Sequence, residues 1–205
     1  MEQWTQGQKV EEGKPVNKSP IMYVVDFLFD ILQQIALGGA FFVVFYIYIA
    51  QPNMIRGSSM LPTFKDKEYI LTDKISYKLR NPQRGEVVIL QSPANADIDF
   101  IKRIIGLPGD NVSINNGKVY LNGQQLNEPY ISVYTPVFPG GFLKEGEQIS
   151  IPQGSYFVLG DNRAGSSDSR EYGLIPFEHI IGKVVFRYFP VDRAGFVTSP
   201  VYAGN

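Results

Sequence analysis

The chain has 205 residues, with 19 Lys+Arg against 20 Asp+Glu and a formal charge of −1. That length fits one domain, or one domain with an appendage. The charge balance excludes a protein that tracks nucleic-acid phosphates, so no nucleic-acid partner is expected. The absence of cysteine excludes disulfides, thiol nucleophiles and thiolate metal sites, and the single histidine, His179, excludes a multi-histidine site. Neither a metal nor a cofactor is expected. Charged residues are 19% of the chain while hydrophobic residues are 44%, so apolar character is concentrated somewhere.

In chain order, residues 1–23 read as a polar N-terminal tail. Residues 24–50 read as an amphipathic lead-in followed by a transmembrane anchor. Ile35 to Ala50 is a 16-residue run without a charge. As a helix it covers about 24 Å, short of a hydrocarbon core of roughly 30 Å; starting at Ile31, with Gln33 and Gln34, it is long enough to span. Upstream, Asp26, Asp30, Gln33 and Gln34 share one helical stripe, and Val24, Leu28, Ile31 and Ile35 another. A buried core helix is the alternative at this length. A cleavable leader ending at Ala50 would place Tyr48 at −3, where a small residue is needed, so the segment is read as retained. Flanking charges do not settle its orientation.

Residues 51–205 read as a β-rich domain. Short β-branched or alternating runs stand at 86–91, 100–105, 111–114, 118–121, 148–151, 155–159 and 183–188. Asn116-Gly117 and Asn122-Gly123 are strong hairpin turns. A short helical pattern stands at Lys74–Leu79. The expected fold class is therefore mainly β, with one transmembrane helix before a β-rich domain.

Three stretches could carry chemistry. Ile55 to Thr63 packs Gly57, Ser58, Ser59 and Pro62 into a tight segment without strand period; alone, it reads as an ordinary loop. In the second stretch, Lys102 shares a strand face with Phe100 and Ile104. Burial there would disfavour the ammonium and leave an amine able to act as a general base; a lysine reaching out from a sheet edge is the alternative. The third stretch, Gly160 to Arg170, is a dense polar loop after SYFVL, and a solvated turn reads equally well.

Together these stretches resemble the type I signal peptidases, membrane-anchored serine proteases. The resemblance rests on Ser59-Met60-Leu61-Pro62-Thr63, on Lys102 to Asp110, on Gly160–Arg163 with Ser166–Arg170, and on Arg84-Gly85-Glu86-Val87-Val88 between the first two. It implies a Ser59 nucleophile and a Lys102 general base, with Ser166 orienting the amine, Asp168 and Arg170 pairing to hold that loop, and Asp161 and Arg103 as structural partners beside Met60 and Pro62. The Ser59 N–H would donate to the oxyanion. Two departures stand out: Ala164-Gly165 replaces a common Asp-Asn, and Gly57 stands where some members carry a serine that serves as second oxyanion donor. The resemblance implies exported preproteins as substrates, with small residues at −1 and −3, and the bilayer as a partner. It also implies a single-pass protein of the cytoplasmic membrane, N-terminus inside and catalytic domain outside. Ile55, Met60, Phe100 and Ile104 are the expected walls of the substrate pockets, and Ala94-Asn95-Ala96 has the small-x-small spacing of a cleavage site. The rivals are a triad using His179, another Ser-Lys processing protease, and a catalytically dead binding module.

Overall fold

A computed structural model describes residues 19–95, 97–200 and 202. The tail before Ser19 and the Ala96 end of the small-x-small segment lie outside the described residues. The N-terminal helix, α1 (Pro20–Tyr48), is one continuous element of 29 residues with no buried side chain. At 1.5 Å per residue it is about 43 Å long, enough by length and composition to cross a membrane. It begins before the expected boundary at 24. Pro20 occupies its first turn, where a missing N–H costs nothing, and the Ser19 carbonyl accepts from the Met22 N–H at 2.9 Å. The chain divides into two compact units, residues 1–43 and 44–205.

The second unit is built from antiparallel strands. In order they are β1 (Ala50–Met54), β2 (Tyr69–Asp73), β3 (Val87–Gln91), β4 (Asp99–Gly106), β5 (Asn111–Asn115), β6 (Lys118–Leu121), β7 (Gln124–Gln125), β8 (Gln148–Ser150), β9 (Ser155–Leu159), β10 (Ile175–Pro176), β11 (Ile180–Phe189) and β12 (Gly195–Phe196). Two one-turn helices, α2 (Ser76–Leu79) and α3 (Ser169–Tyr172), interrupt them. The larger sheet runs β1-β2-β11-β3-β4-β9-β10, with β12 added on β11; the smaller runs β7-β6-β5-β8. Both Asn-Gly pairs form the expected tight turns, with positive φ at Asn116, Gly117, Asn122 and Gly123.

The centre of the larger sheet is buried on both faces, which explains the unbroken apolar run of β3. Val87 and Ile89 pack with Ile55, Met60, Phe64, Ile70, Ile101 and Val184. Val88 and Leu90 pack with Tyr77, Ile104, Tyr156, Val158, Ile175 and Ile180 on the other side. The smaller sheet closes a third cluster around Val112, Ile114 and Phe157. Met60 and Ile104, expected as pocket walls, are instead core residues, 1% and 0% exposed.

Candidate active site

Ser59 lies in the segment between β1 and β2, whose ends are pinned together. The Ile55 N–H donates to the Glu68 carbonyl and the Lys67 N–H to the Ile55 carbonyl, at 2.8 and 2.9 Å. Met60 and Phe64, each 1% exposed, plug the segment into the core, which leaves Ser59 half-buried beside them. Gly57 bends the chain with φ +91°, in the region that favours glycine. Its N–H donates to Asp66 Oδ1 at 2.8 Å, so that donor is already engaged and Gly57 serves by its conformation.

Lys102 sits mid-strand in β4, opposite Val88, and is 3% exposed. Its Nζ donates to Ser59 Oγ at 3.2 Å and stands 4.9 Å from the centre of the Phe100 ring. Burial pushes its ammonium down to about 8; the nearby Asp168 carboxylate opposes this, and the Arg170 guanidinium reinforces it.

Topology brings the third stretch to the same place. β9 pairs with β4 up to Leu159 opposite Arg103, so the loop from Gly160 leaves the sheet at the level of Lys102. Gly160 is required by crowding: a Cβ there would lie 2.2 Å from Ser166 Oγ and 2.5 Å from the Ser59 carbonyl oxygen. The Ser166 side chain and the Ser59 main chain therefore both close on Gly160. In this arrangement its hydroxyl donates to the Ser167 carbonyl at 3.5 Å, while the amine of Lys102 is directed to Ser59.

Asp168 and Arg170 pair as expected and are fully buried, with two side-chain bonds of 2.7 Å each. Asp168 also accepts from the Gly160 N–H at 3.0 Å, and Arg170 donates to the Ser166 carbonyl at 3.2 Å. Arg103 grips Asp161 in a two-pronged pair at 2.9 and 2.6 Å. Pro62 is exposed beside the segment that Met60 anchors.

Several residues of the site have no signal of their own in the sequence. Asn162 donates through Nδ2 to the Ser58 carbonyl and through its main chain to the Ser59 carbonyl, at 3.1 and 3.0 Å. Thr63 donates to Asp161 at 2.5 Å. Arg163, wholly buried, pairs with Glu128 and donates to Thr135 Oγ1 at 2.7 Å. These partners lie far off in sequence, in loops without period.

Ser59 and Lys102 line a cleft of about 350 Å³ with Ile55, Ile70, Phe100 and Ile101. Ile55, Ile70, Phe100 and Ile101 form an apolar strip of its lining, beside the polar Asn53, Arg56, Asp97 and Asp99. His179 occupies a 3₁₀ turn, Phe177–His179, before β11, and is not one of the residues lining this cleft. Among the described residues no group of three or more His, Cys, Asp or Glu side chains could hold a metal ion. The arrangement is a hydroxyl within reach of a buried amine beside an apolar trough, the geometry of acyl transfer.

The family model of signal peptidase, peptidase S26, matches residues 28–189. The chain is 41% identical over 157 residues to the probable signal peptidase I-2 of Synechocystis sp. (strain ATCC 27184 / PCC 6803 / Kazusa), covering 74% of this chain and 69% of that protein. It is 37% identical over 184 residues to signal peptidase IB of Staphylococcus aureus (strain MRSA252), covering 83% of this chain and 95% of the relative. A crystal structure of a signal peptidase I from Enterococcus faecalis V583 is 36% identical, covers 51% of this chain and 97% of that one, and aligns with a TM-score of 0.43.

Proposed function

The chain belongs to the signal peptidase family, peptidase S26, serine endopeptidases that remove signal peptides, and we propose that it does so with Ser59 as nucleophile and Lys102 as general base. The observation that carries the assignment is the 3.2 Å approach of Lys102 Nζ to Ser59 Oγ in a place where burial holds the amine's pKa to about 8.

The neutral Lys102 amine takes the Ser59 proton as Oγ attacks the carbonyl carbon of the −1 residue. The resulting ammonium returns a proton to the amide nitrogen, the C–N bond breaks, and the mature chain leaves as an amine. The signal peptide remains as an ester on Ser59. Lys102, neutral again, deprotonates a water that attacks this ester; the ammonium then returns that proton to Ser59 Oγ as the C–O bond breaks, and the signal peptide leaves as an acid that ionises to a carboxylate. A lysine needs no third charged member, because an amine has no tautomer to fix; Ser166, Asp168 and Arg170 serve to hold the loop against it. The Ser59 N–H, with no acceptor among the described residues, is the oxyanion donor.

The substrates are exported preproteins with small residues at −1 and −3. Helix α1 is the membrane anchor, with the N-terminus in the cytoplasm and the β domain outside. The short run from Ala50 to Ser59 keeps the nucleophile close along the chain to where the anchor ends, and a signal peptide's own apolar run ends near its cleavage site. Anchoring both raises their effective concentration.

The test is incubation of the purified chain in detergent with a preprotein, beside a Ser59→Ala control. Cleavage by the first and not the second is expected; an intact preprotein in both, or cleavage in both, overturns the assignment. A reporter fused after Asn205 is expected to behave as exported, and cytoplasmic reporter activity there overturns the orientation.

A further inference from the structure

Asn162 brackets the nucleophile. Its Nδ2 donates to the carbonyl that precedes the Ser59 nitrogen, at 3.1 Å, and its N–H donates to the carbonyl that follows the Ser59 Cα, at 3.0 Å. The peptide joining Ser58 to Ser59 is trans. In a trans peptide the C=O and the N–H point in opposite directions. Holding the Ser58 oxygen toward Asn162 therefore aims the Ser59 N–H away from the loop that carries Asn162. The Leu61 N–H also donates to the Ser58 oxygen, at 3.1 Å, but that bond ties the peptide only to its own turn. Asn162 ties it to the loop that also holds Ser166 and Asp168.

The amide of Asn162 is itself seated by Gly165, whose N–H donates to Asn162 Oδ1 at 3.2 Å and to the Asn162 carbonyl at 3.0 Å. A Cβ at position 165 would stand 2.7 Å from Asn162 Nδ2 and 3.1 Å from its Cγ. The φ of Gly165 lies outside the left-handed region, so a larger residue is opposed by the Asn162 amide and not by the backbone. In this chain the small residue at 165 leaves room for the amide that grips Ser58.

We propose that Asn162 is a positioning residue that aims the Ser59 N–H at the oxyanion, and that Gly165 makes room for it. The assignment rests on Ser59 being the nucleophile.

The test compares the full chain in detergent with Asn162→Ala, Gly165→Ala and the double variant. Asn162→Ala is expected to lower kcat about ten- to a hundredfold, less than outright loss of an oxyanion donor. KM and the pH at which the rate rises stay in place, because the cleft wall and Lys102 are untouched. A peptide boronate ending in alanine, which forms a tetrahedral adduct on the serine, binds more weakly by a similar factor, while the released signal peptide binds as before. Gly165→Ala lowers kcat in the wild-type background and has no effect on top of Asn162→Ala.

An Asn162→Ala variant with wild-type kcat, a loss confined to KM, or a Gly165→Ala effect of equal size in both backgrounds overturns the assignment. Should Asn162→Ala not fold, Gly165→Ala carries the test, and wild-type kcat there overturns it. A wild-type chain that leaves the preprotein intact overturns the reading of the site, and this assignment with it. A wild type that cleaves beside an unimpaired Asn162→Ala overturns this assignment alone.

Discussion

Thr63 Oγ1 donates to Asp161 Oδ2 at 2.5 Å across 98 residues of sequence, and the same carboxylate receives both prongs of Arg103. Thr63 ends the segment that carries Ser59, Arg103 follows Lys102, and Asp161 opens the loop that carries Ser166. One buried carboxylate therefore joins the three stretches that carry Ser59, Lys102 and Ser166. It also explains why three separated motifs belong to one site: each contributes one reactive or orienting group and one group that locks onto the others.

Asp161→Ala is expected to be strongly destabilising, by about 3–5 kcal/mol, because it leaves the guanidinium of Arg103 buried without its partner. Thr63→Val removes one hydroxyl donor and keeps the ion pair, and is expected to cost only about 1 kcal/mol. Thermal melts of the two variants check the ranking. Equal losses would mean that the Arg103 pair is not what holds these stretches together.

Lys102 supplies a prediction that links activity to stability. With Lys102 as the proposed general base, activity needs the neutral amine, so the rate is expected to rise with pH through about 8. Lys102→Arg is expected to fail, because a guanidinium stays protonated. Stability follows from the same shift: the folded pKa is depressed from an ordinary 10.5, so between about 8 and that value the unfolded chain holds a proton that the folded chain has released. Stability contributed by this group therefore rises with pH across that window, and below it the burial penalty is present in full. Lys102→Met, which keeps the stem and removes the amine, is expected to be inactive yet to melt above the wild type at pH 7. The gap should narrow toward pH 10. A wild type that melts above Lys102→Met at pH 7 would contradict a destabilised ammonium.

Gly57 tests whether a hydroxyl or a conformation is wanted two residues before the nucleophile. Nothing stands within 4 Å of a Cβ built at Gly57, but its φ is +91°. If only a missing hydroxyl matters there, Gly57→Ser is tolerated or even raises turnover. The backbone indicates that serine and alanine there are both strained, by about 1–2 kcal/mol. Both variants are therefore expected to be less stable and similarly reduced in rate. A Gly57→Ser enzyme at least tenfold faster than Gly57→Ala would show that the hydroxyl reaches the oxyanion after all.

Much of this site is legible in the sequence because its parts are contiguous motifs on or beside regular strands. Lys102 is readable as a buried base because it stands mid-strand among apolar residues, with Phe100 and Ile104 two positions to either side, and β4 is buried without a break from Ile101 to Gly106. The reading weakens where structure is not periodic. β1, with the sequence AQPNM, carries Pro52 and two amides on an edge strand and offers no alternation. β7, β10 and β12 are two residues each, too short to show a period. Asn162 is visible only as a member of a motif, since its partners are main-chain carbonyls 103 and 104 residues upstream. Glu128 comes from the loop between β7 and β8, where no pattern announces that it faces Arg163. Met60 and Ile104 are expected at the cleft because of their neighbours, but both are taken up by the core: Met60 packs with Phe64, Val87 and Ile89, and Ile104 with Val88, Leu90 and Val158.

The shape of the cleft leads to the prediction that bears most directly on substrate choice. Its apolar wall comes from Ile55, Ile70, Phe100 and Ile101, beside Ser59 and Lys102, in a volume of about 350 Å³. A substrate bound as an extended strand places its −1 and −3 side chains on one face and its −2 side chain on the other. In the proposed binding mode the first two are pressed into the trough, and the third points away. A bulky −1 residue overlaps the wall nearest Ser59 and displaces the scissile carbonyl, and a displacement of this kind can cost about 10²-fold in rate. The −3 residue lies farther from the reacting atoms, so its size is felt less. The measurement is a preprotein series with Ala, Ser, Leu or Phe at −1, −2 and −3 in turn. Rates are expected to fall steeply for Leu and Phe at −1, less steeply at −3 and hardly at −2. Substituting Ile101→Ala, which widens the same wall, is expected to recover part of the lost rate for Leu at −1 without changing the order at −2. Equal cleavage of Ala and Phe at −1 would mean that this trough does not hold the residue at the cleavage site, even with Ser59 proven as the nucleophile.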